Sequence, residues 1–373
     1  MISYKYKLYK TSNEKHLQAT LAEACHVWNH CLALQKRYYK MYGKFIPKFT
    51  LSKHMAKVWH RHHLGSQSLQ EIVERLDTAY KRFFKHTAKR PPKFKRASDF
   101  TSFVFKQCGY KFCDGNRVIL TLGGTKRSFK FSKSRDFEGN IKTVSVKRSH
   151  LNEFFIVIVT DANPHKYGKS HNGASVGMDF GLKTYLTLSD GTKLANPQFL
   201  KKDLRMLRKT SHKLSRCKKG SHHREQARLA LCRLHEKIMN KRTDFQWKLA
   251  HELCRRFDYI FIEDLNLSGM TRLWGRKMND LAHSQFIEIL QQVALKYGCT
   301  VHKIDRFFPS SKLCDCGYKN TMLQLTDREW VCPQCGQPHD RDVLAAKNIH
   351  REGIHDLESG SKTIAASQRG IHA

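Results

Sequence analysis

Two short apolar runs in the C-terminal half each carry an acid where a buried strand would place an apolar side chain. Asp179 sits inside Val176-Gly177-Met178-Asp179-Phe180, and Glu263 ends Tyr259-Ile260-Phe261-Ile262 ahead of Asp264. Burying a carboxylate is costly unless it is paired or binds a metal. Either acid alone reads as an ordinary solvated residue at a strand end. Together they say more, because parallel strands of an α/β sheet present their C-terminal ends along one edge, where two acids can converge on divalent ions. A third candidate stands in His339-Asp340-Arg341-Asp342-Val343, at the start of the last helical stretch. There Asp340 also reads as an N-cap and Asp342 as a first-turn acid favoured by the helix dipole. Two Asp and one Glu form the set that two-metal phosphodiester hydrolysis needs, hard oxygen ligands holding two Mg²⁺ roughly 4 Å apart.

Charge narrows the partners. The 373 residues include 68 Lys+Arg against 32 Asp+Glu, a net charge of +36. Such an excess repels itself in a compact state unless a polyanion neutralises it, and nucleic acid is the common one. With 40% hydrophobic and 11% aromatic residues the chain builds ordinary packed cores, so wholesale disorder is excluded and two or three domains are expected. A ribosomal-type protein fits the charge but is usually shorter, and a membrane-surface protein would show basic amphipathic helices flanked by lipid-facing aromatics. The longest clean apolar run, Phe154 to Val159, is too short to span a bilayer, and the start has no signal-peptide core. The expectation is a soluble, cytoplasmic protein with no membrane partner.

The pattern changes along the chain. Residues 3–10 alternate aromatic or apolar with basic side chains, a half-exposed strand with a positive outer face. From Asn13 to about Lys89 apolar residues recur at helical spacing, with a break at Gly43–Pro47. From about Phe100 to Asp161, strand-like segments at 102–105, 117–122, 128–131, 141–146 and 154–159 alternate with turn signals and predict a small β-barrel. A polar, Gly-rich linker is expected at 164–173. Beyond it come a hairpin (175–188), helices at about 203–215 and 224–257, a strand at 259–264, a helix at 284–297, a strand at 300–304 and a helix from about 341 to 351. That is an α/β order consistent with an RNase-H-like mixed sheet.

Two basic runs are candidate nucleic-acid contacts. Lys81 to Arg96 carries eight Lys/Arg and no acid (Lys81, Arg82, Lys85, Lys89, Arg90, Lys93, Lys95, Arg96), and Lys201 to Lys219 has nine basic residues against Asp203, among them Lys209, Lys213, Lys218 and Lys219. A solvated face is the plain alternative, but Phe83, Phe84 and Phe94 interleaved in the first run favour backbone contact with stacking. Eight of the twelve cysteines are scattered and read as reduced, semi-buried residues. The other four cluster. Cys332-Pro333-Gln334-Cys335-Gly336 is a regular zinc half-site, while Cys314-Asp315-Cys316-Gly317 is one residue short of the usual spacing. A redox pair is the alternative, and His339, four residues after Cys335, is a possible substitute ligand.

Taken together, Val176-Gly177-Met178-Asp179-Phe180-Gly181-Leu182, Ile262-Glu263-Asp264-Leu265-Asn266, and the stretch from Pro309-Ser310-Ser311-Lys312-Leu313-Cys314 through His339-Asp340-Arg341-Asp342 closely resemble the TnpB family, transposon-encoded relatives of the compact type V CRISPR effectors. The resemblance implies an α/β fold with added helical and β-barrel parts. Its domains would be a wedge strand (1–11), a helical recognition domain (12–97), a wedge β-barrel (98–165), a RuvC nuclease (166–306 and 337–356) with an inserted zinc ribbon that binds target nucleic acid (307–336), and a tail (357–373). It maps the catalytic carboxylates and Mg²⁺ ligands onto Asp179, Glu263 and Asp342, and structural Zn²⁺ onto Cys314, Cys316, Cys332 and Cys335. Leu344 departs from the pattern, standing where members usually carry Asn.

The activity implied is that of an RNA-guided DNA endonuclease of an insertion sequence. It would act as a monomer in a ribonucleoprotein with a transposon-derived guide RNA, cutting double-stranded DNA beside a short transposon-adjacent motif. The charge agrees, since holding RNA and a heteroduplex takes many phosphate contacts while base pairing reads sequence. Three rivals stand beside it: a guide-independent nuclease or recombinase accessory protein using the same metal site, an RNA-guided repressor that does not cut, and a compact type V CRISPR effector sharing the mechanism.

Overall fold

The structure, a computed structural model, describes residues 1–59, 63–163, 167–168, 172–265, 269, 275, 280–324 and 326–360. It divides into two compact units, Met1–Asn163 and Pro164–Ala373. The expected linker at 164–173 lies largely, and the tail beyond 360 wholly, outside the described residues. Among the described residues no helix is long and apolar enough to cross a membrane.

The first unit opens with β1 (Ile2–Leu8), whose Tyr4, Tyr6 and Leu8 point inward while Ser3, Lys5 and Lys7 face out. Helices α1 (Glu14–Tyr42), α2 (Lys48–Val58) and α3 (Ser66–Phe84) follow. Gly43 ends α1 in the left-handed conformation (φ 65°), its amide donating to the Tyr39 carbonyl, and this is the break read from the sequence. Six strands complete the unit: β2 (Ser102–Phe105), β3 (Tyr110–Cys113), β4 (Arg117–Leu122), β5 (Thr125–Ser132), β6 (Ile141–Arg148) and β7 (Phe154–Thr160). β3 was not expected, because its Tyr-Lys-Phe-Cys alternation is only four residues long and is bounded closely by Gly109 and Gly115.

The strands form one sheet in the order β2-β6-β7-β1-β5-β4-β3. Its two edge strands are neighbours in sequence, which forces curvature. Six strand spacings of ~4.8 Å would set flat edges about 29 Å apart, whereas the chain from Phe105 to Tyr110 reaches at most about 18 Å. The sheet therefore curls, and the rings of Phe105 and Tyr110 come to 6.4 Å of one another. Inside the curl, Phe103, Val118, Phe129, Val146 and Ile156 join one hydrophobic core with Leu21, Trp28 and Leu32 of α1 and Ile72 of α3.

The second unit is built on β8 (Ser175–Asp179), β9 (Thr184–Leu188), β10 (Lys193–Ala195), β11 (Tyr259–Glu263) and β12 (Thr300–Ile304), ordered β10-β9-β8-β11-β12. β11 is parallel to both β8 and β12; β8, β9 and β10 pair antiparallel. The helices are α4 (Phe199–Arg216), α5 (His222–Arg256), α6 (His283–Tyr297) and α7 (Arg341–Glu358), the last two turns longer than expected. Strand alternation assigns the two faces. Val176, Met178, Ile260 and Ile262 pack with Leu249 and Leu253 of α5 and Phe286 and Leu290 of α6. Phe261 and Ile304 turn the other way, onto Ile349 of α7. Glycines let that last helix approach closely. A methyl on Gly177 would stand 2.2 Å from the Ala346 carbonyl oxygen, and one on Gly353 would stand 2.1 Å from the Phe261 ring. A two-stranded ribbon, β13 (Glu329–Val331) with β14 (Pro338–Asp340), lies in the insertion before α7.

At the start of α6, His283 is buried beside the rings of Phe180 (4.8 Å) and Tyr185 (5.2 Å). Burial pushes its pKa down to about 4, with the Gly181 backbone opposing the shift. Below about pH 6.5 the unfolded chain takes up a proton at this site that the native state refuses, so stability falls as pH falls toward 4. Urea unfolding should show His283→Gln losing about 2–3 kcal/mol less than the native chain between pH 7 and 4.5. Equal losses would contradict the assignment of a buried neutral imidazole.

Candidate metal and nucleic-acid sites

Parallel pairing of β8 with β11 runs in register from Tyr259↔Ser175 to Ile262↔Met178, so Asp179 and Glu263 follow side by side at the same strand edge. The third acid comes from the helix that covers the sheet. The Asp340 carboxylate accepts from the Asp342 and Val343 amides at 3.1 Å, which fixes the first turn of α7 and places Asp342 in it. Lys193 of β10 holds the other Asp340 oxygen at 2.6 Å. Asp340 is thus the cap, as its position suggested, and Asp342 is the acid left to face the strand edge.

All three carboxylates are half-buried, and Asp342 and Glu263 both lie close enough to Asp179 to act on it. Burial, and then the charges of Asp342 and Glu263, push Asp179 up to about 7, with Arg341 and Arg328 pulling the other way. Glu263 is also raised, by burial and by Asp264. Asp264 itself is committed elsewhere. Against the effect of burial, hydrogen bonds from Arg306 and Lys303 hold it below the usual carboxylate range, and the Arg306 Nε donates to its carbonyl at 2.9 Å. Of the two adjacent acids, Glu263 is therefore the one with no ion pair among the described residues. A half-buried set of oxygen donors is the donor chemistry of hard divalent cations, so the residues present fit Mg²⁺ in donor type, although their three carboxylates do not gather within 4.8 Å of one another as the cysteine sulfurs do.

Arg328 was not among the residues singled out from sequence. It lies in the insertion, and its Nη1 reaches the Asp342 oxygens at 3.1 and 3.5 Å. Arg341, one residue before Asp342, faces the insertion instead, donating to the carbonyls of Gln324 (2.8 Å) and Asp327 (3.3 Å). No spacing pattern marks Arg328, because a cation opposite a carboxylate fourteen residues on is visible only once the chain has folded back.

The four cysteines of the insertion come together, with all their sulfurs within 4.8 Å of one another. The Cys314–Cys335 and Cys316–Cys332 sulfur separations are both 3.6 Å. Thiolates placed tetrahedrally at ~2.3 Å from zinc stand about 3.8 Å apart, so the set fits Zn²⁺. The short Cys314–Cys316 half closes through Gly317, left-handed at φ 90°, whose amide donates to the Cys314 carbonyl. His339 places Nε2 3.0 Å from the Cys314 sulfur, the position of a hydrogen-bond donor to a thiolate rather than of a fifth ligand. Burial raises the Cys332 thiol, but amides of Cys335 and Gln334 outweigh it and bring the group down to about 7. Leu344, the departure from the family pattern, is buried against Cys314, Leu323, Trp330 and Cys332 as part of the ribbon's own small core. Asn348 secures the same junction by donating to the Ser310 and Leu313 carbonyls, both at 2.7 Å.

The basic runs are placed as follows. Lys81, Arg82, Lys85, Lys89, Arg90, Lys93 and Arg96 are exposed, from the last turn of α3 into the extended segment beyond. Lys95 stands apart. It is half-buried, its ammonium over the rings of Trp28 (4.2 Å) and Phe100 (5.2 Å), and its backbone is bonded in both directions to the Asn29 side chain. In the second unit Lys209 and Lys213 are exposed on α4, and Lys218 and Lys219 at the tip that joins it to α5. Ser221 caps α5, and the Arg224 guanidinium closes the tip on the Leu214 and Cys217 carbonyls.

Comparison with known proteins addresses the family and the fold. A family model described as "Probable transposase" matches residues 158–273, a "Cas12f1-like, TNB domain" model matches residues 283–349, and a "Helix-turn-helix domain" model matches residues 1–44. In the structure that last segment is β1 and the single helix α1. The chain is 33% identical over 296 residues to a Streptomyces pristinaespiralis protein named "Putative RNA-guided DNA endonuclease", covering 78% of this chain and 72% of that one. It is 27% identical over 384 residues to the Escherichia coli (strain K12) "Putative RNA-guided DNA endonuclease InsQ", covering 96% and 94%. Among solved structures, the Cas12f1 protein in a complex with sgRNA and target DNA shares the fold, with a TM-score of 0.61 at 14% identity over 91% of this chain and 83% of that one. On these matches, this protein belongs to the TnpB family.

Proposed function

We propose that the protein is an RNA-guided DNA endonuclease of an insertion sequence. In this reading Asp179, Glu263 and Asp342 are its catalytic carboxylates. The observation that carries it is the approach of Asp342 and Glu263 to Asp179 at one strand edge, where burial and then those two charges raise Asp179. Each alone has an ordinary structural explanation; together they set like charges side by side, where Arg328 and Arg341 offset part of the repulsion and a bound cation would offset the rest. Two Mg²⁺ held there would supply Lewis-acid stabilisation of the attacking and leaving oxygens of an in-line phosphodiester displacement.

The chain's own residues do the rest. Asp179 and Glu263 are fixed by strand register and Asp342 by the Asp340 cap, so the oxygens are set before substrate arrives. Arg328 brings a guanidinium to the same edge, where its remaining donors can meet a phosphate oxygen of the strand being cut. Guide RNA and double-stranded DNA would be held by the exposed basic residues of both units, with base pairing reading the target. Residues 12–97 and the curled sheet would read the transposon-adjacent motif, and the four-cysteine ribbon, holding one Zn²⁺, would keep Arg328 in place.

Reconstituted with guide RNA, the native protein should cut a matched duplex only with Mg²⁺ or Mn²⁺ present. Asp179→Ala and Glu263→Ala should each lower the cleavage rate by at least about a thousand-fold while RNA and target binding persist. A variant that cuts at the native rate would remove its residue from the site. Elemental analysis of active protein should find one zinc per chain, and Cys332→Ser should lower both the zinc content and the thermal midpoint. Active protein free of zinc would refute the assignment of the ribbon.

A further inference from the structure

Phe307 is 88% exposed, the most exposed aromatic ring among the described residues, and it stands at the strand edge that carries the carboxylates. Glu263 of β11 pairs with Ile304 of β12, and Phe307 follows three residues on. One strand spacing plus three residues of chain keep its Cα within about 15 Å of that of Glu263. A lone exposed apolar residue needs no explanation in general. This one differs in being held out by a turn built for the purpose.

The turn is fixed on every side. The Phe307 amide donates to the Asp305 side chain at 2.7 Å, and the Ser310 amide to the Phe308 carbonyl at 2.8 Å. Arg306, just before, is anchored by Asp264, the residue directly after Glu263. Phe308, just after, turns inward against the cluster of Phe261, Ile304 and Ile349, and Asn348 ties down the Ser310 and Leu313 carbonyls beyond it. Phe308 is thus packed and Arg306 ion-paired while the Phe307 ring is presented to solvent from a backbone that is already fixed.

We propose that Phe307 is a stacking platform for one unpaired base of the DNA strand being cut, a few nucleotides from the scissile phosphate, and so a positioning residue for the cleavage step. The inference rests on the nuclease reading above. Every base offers a π face, so a lone ring orients a strand without choosing its sequence, which suits an enzyme whose sequence reading belongs to a guide. Arg306, already spent on Asp264, fixes the turn instead of competing for the phosphate.

The test combines protein and substrate changes in the guide-loaded complex. Phe307→Ala should slow single-turnover cleavage roughly five- to hundred-fold, the range expected for loss of one stacked base, with RNA and target binding unchanged, and Phe307→Trp should restore it. Abasic sites walked along the cut strand should give one position that slows the native enzyme to the same degree and does not slow Phe307→Ala further. Native cleavage by Phe307→Ala, or independent multiplication of the two losses at every position, would overturn the proposal. A second readout does not depend on cutting. With Ca²⁺ replacing Mg²⁺, 2-aminopurine walked along the displaced strand should be quenched at one position by the native complex and not by Phe307→Ala; equal fluorescence at every position would also overturn it. Failure of the native complex to cut any matched target would count against the nuclease reading itself, and the fluorescence comparison would still decide the role of Phe307.

Discussion

The second unit is organised around a repulsion. Three carboxylates meet at one strand edge, where burial and then the charges of two of them raise the third to about 7. Only a stiff frame keeps such a group together. The parallel register of β8 and β11 supplies two members, and the capped first turn of α7 supplies the third. The helix can lie close enough to do so because Gly177 and Gly353 leave no side chain between it and the sheet. The cap, the glycines and the Ile349 contact are therefore parts of one device whose product is a fixed set of oxygens.

The insertion before α7 belongs to the same device. Its four sulfurs gather at the spacing of a tetrahedral thiolate site, and its loop returns Arg328 to the Asp342 carboxylate. Arg341 and Asn348 of α7 bond back to the insertion's own carbonyls. A ribbon that looks in sequence like an independent zinc module thus shares its small core with Leu344 of the helix bearing the third acid. This accounts for the departure at Leu344: an apolar side chain there fills the junction.

Much of the fold was legible because it is written in local pattern. The strand alternation read at 3–10 and found at Ile2–Leu8, the Gly43 break and the α/β order of the second unit all follow from spacing that short-range sterics and burial enforce. What escaped was non-local or very short. β3 is four residues long, the curl of the first sheet depends on which strands are its edges, and α7 runs past its expected end because Gly353, a break signal in sequence, serves close packing against Phe261 instead. In the site, Asp179, Glu263, Asp342 and the cysteines were legible from residue type and position. Lys95 was chosen for its charge, but its place over Trp28 depends on a contact sixty-seven residues away, and Arg328 has no local signature at all.

The most direct measurement is to express the protein with its native flanking DNA, purify it at moderately high salt, and sequence the RNA that remains bound. A single discrete RNA, with one constant part and one end running into sequence beside the gene, is the result this account predicts. Heterogeneous RNA, or none, would mean that the +36 charge serves DNA directly and would contradict guidance by RNA.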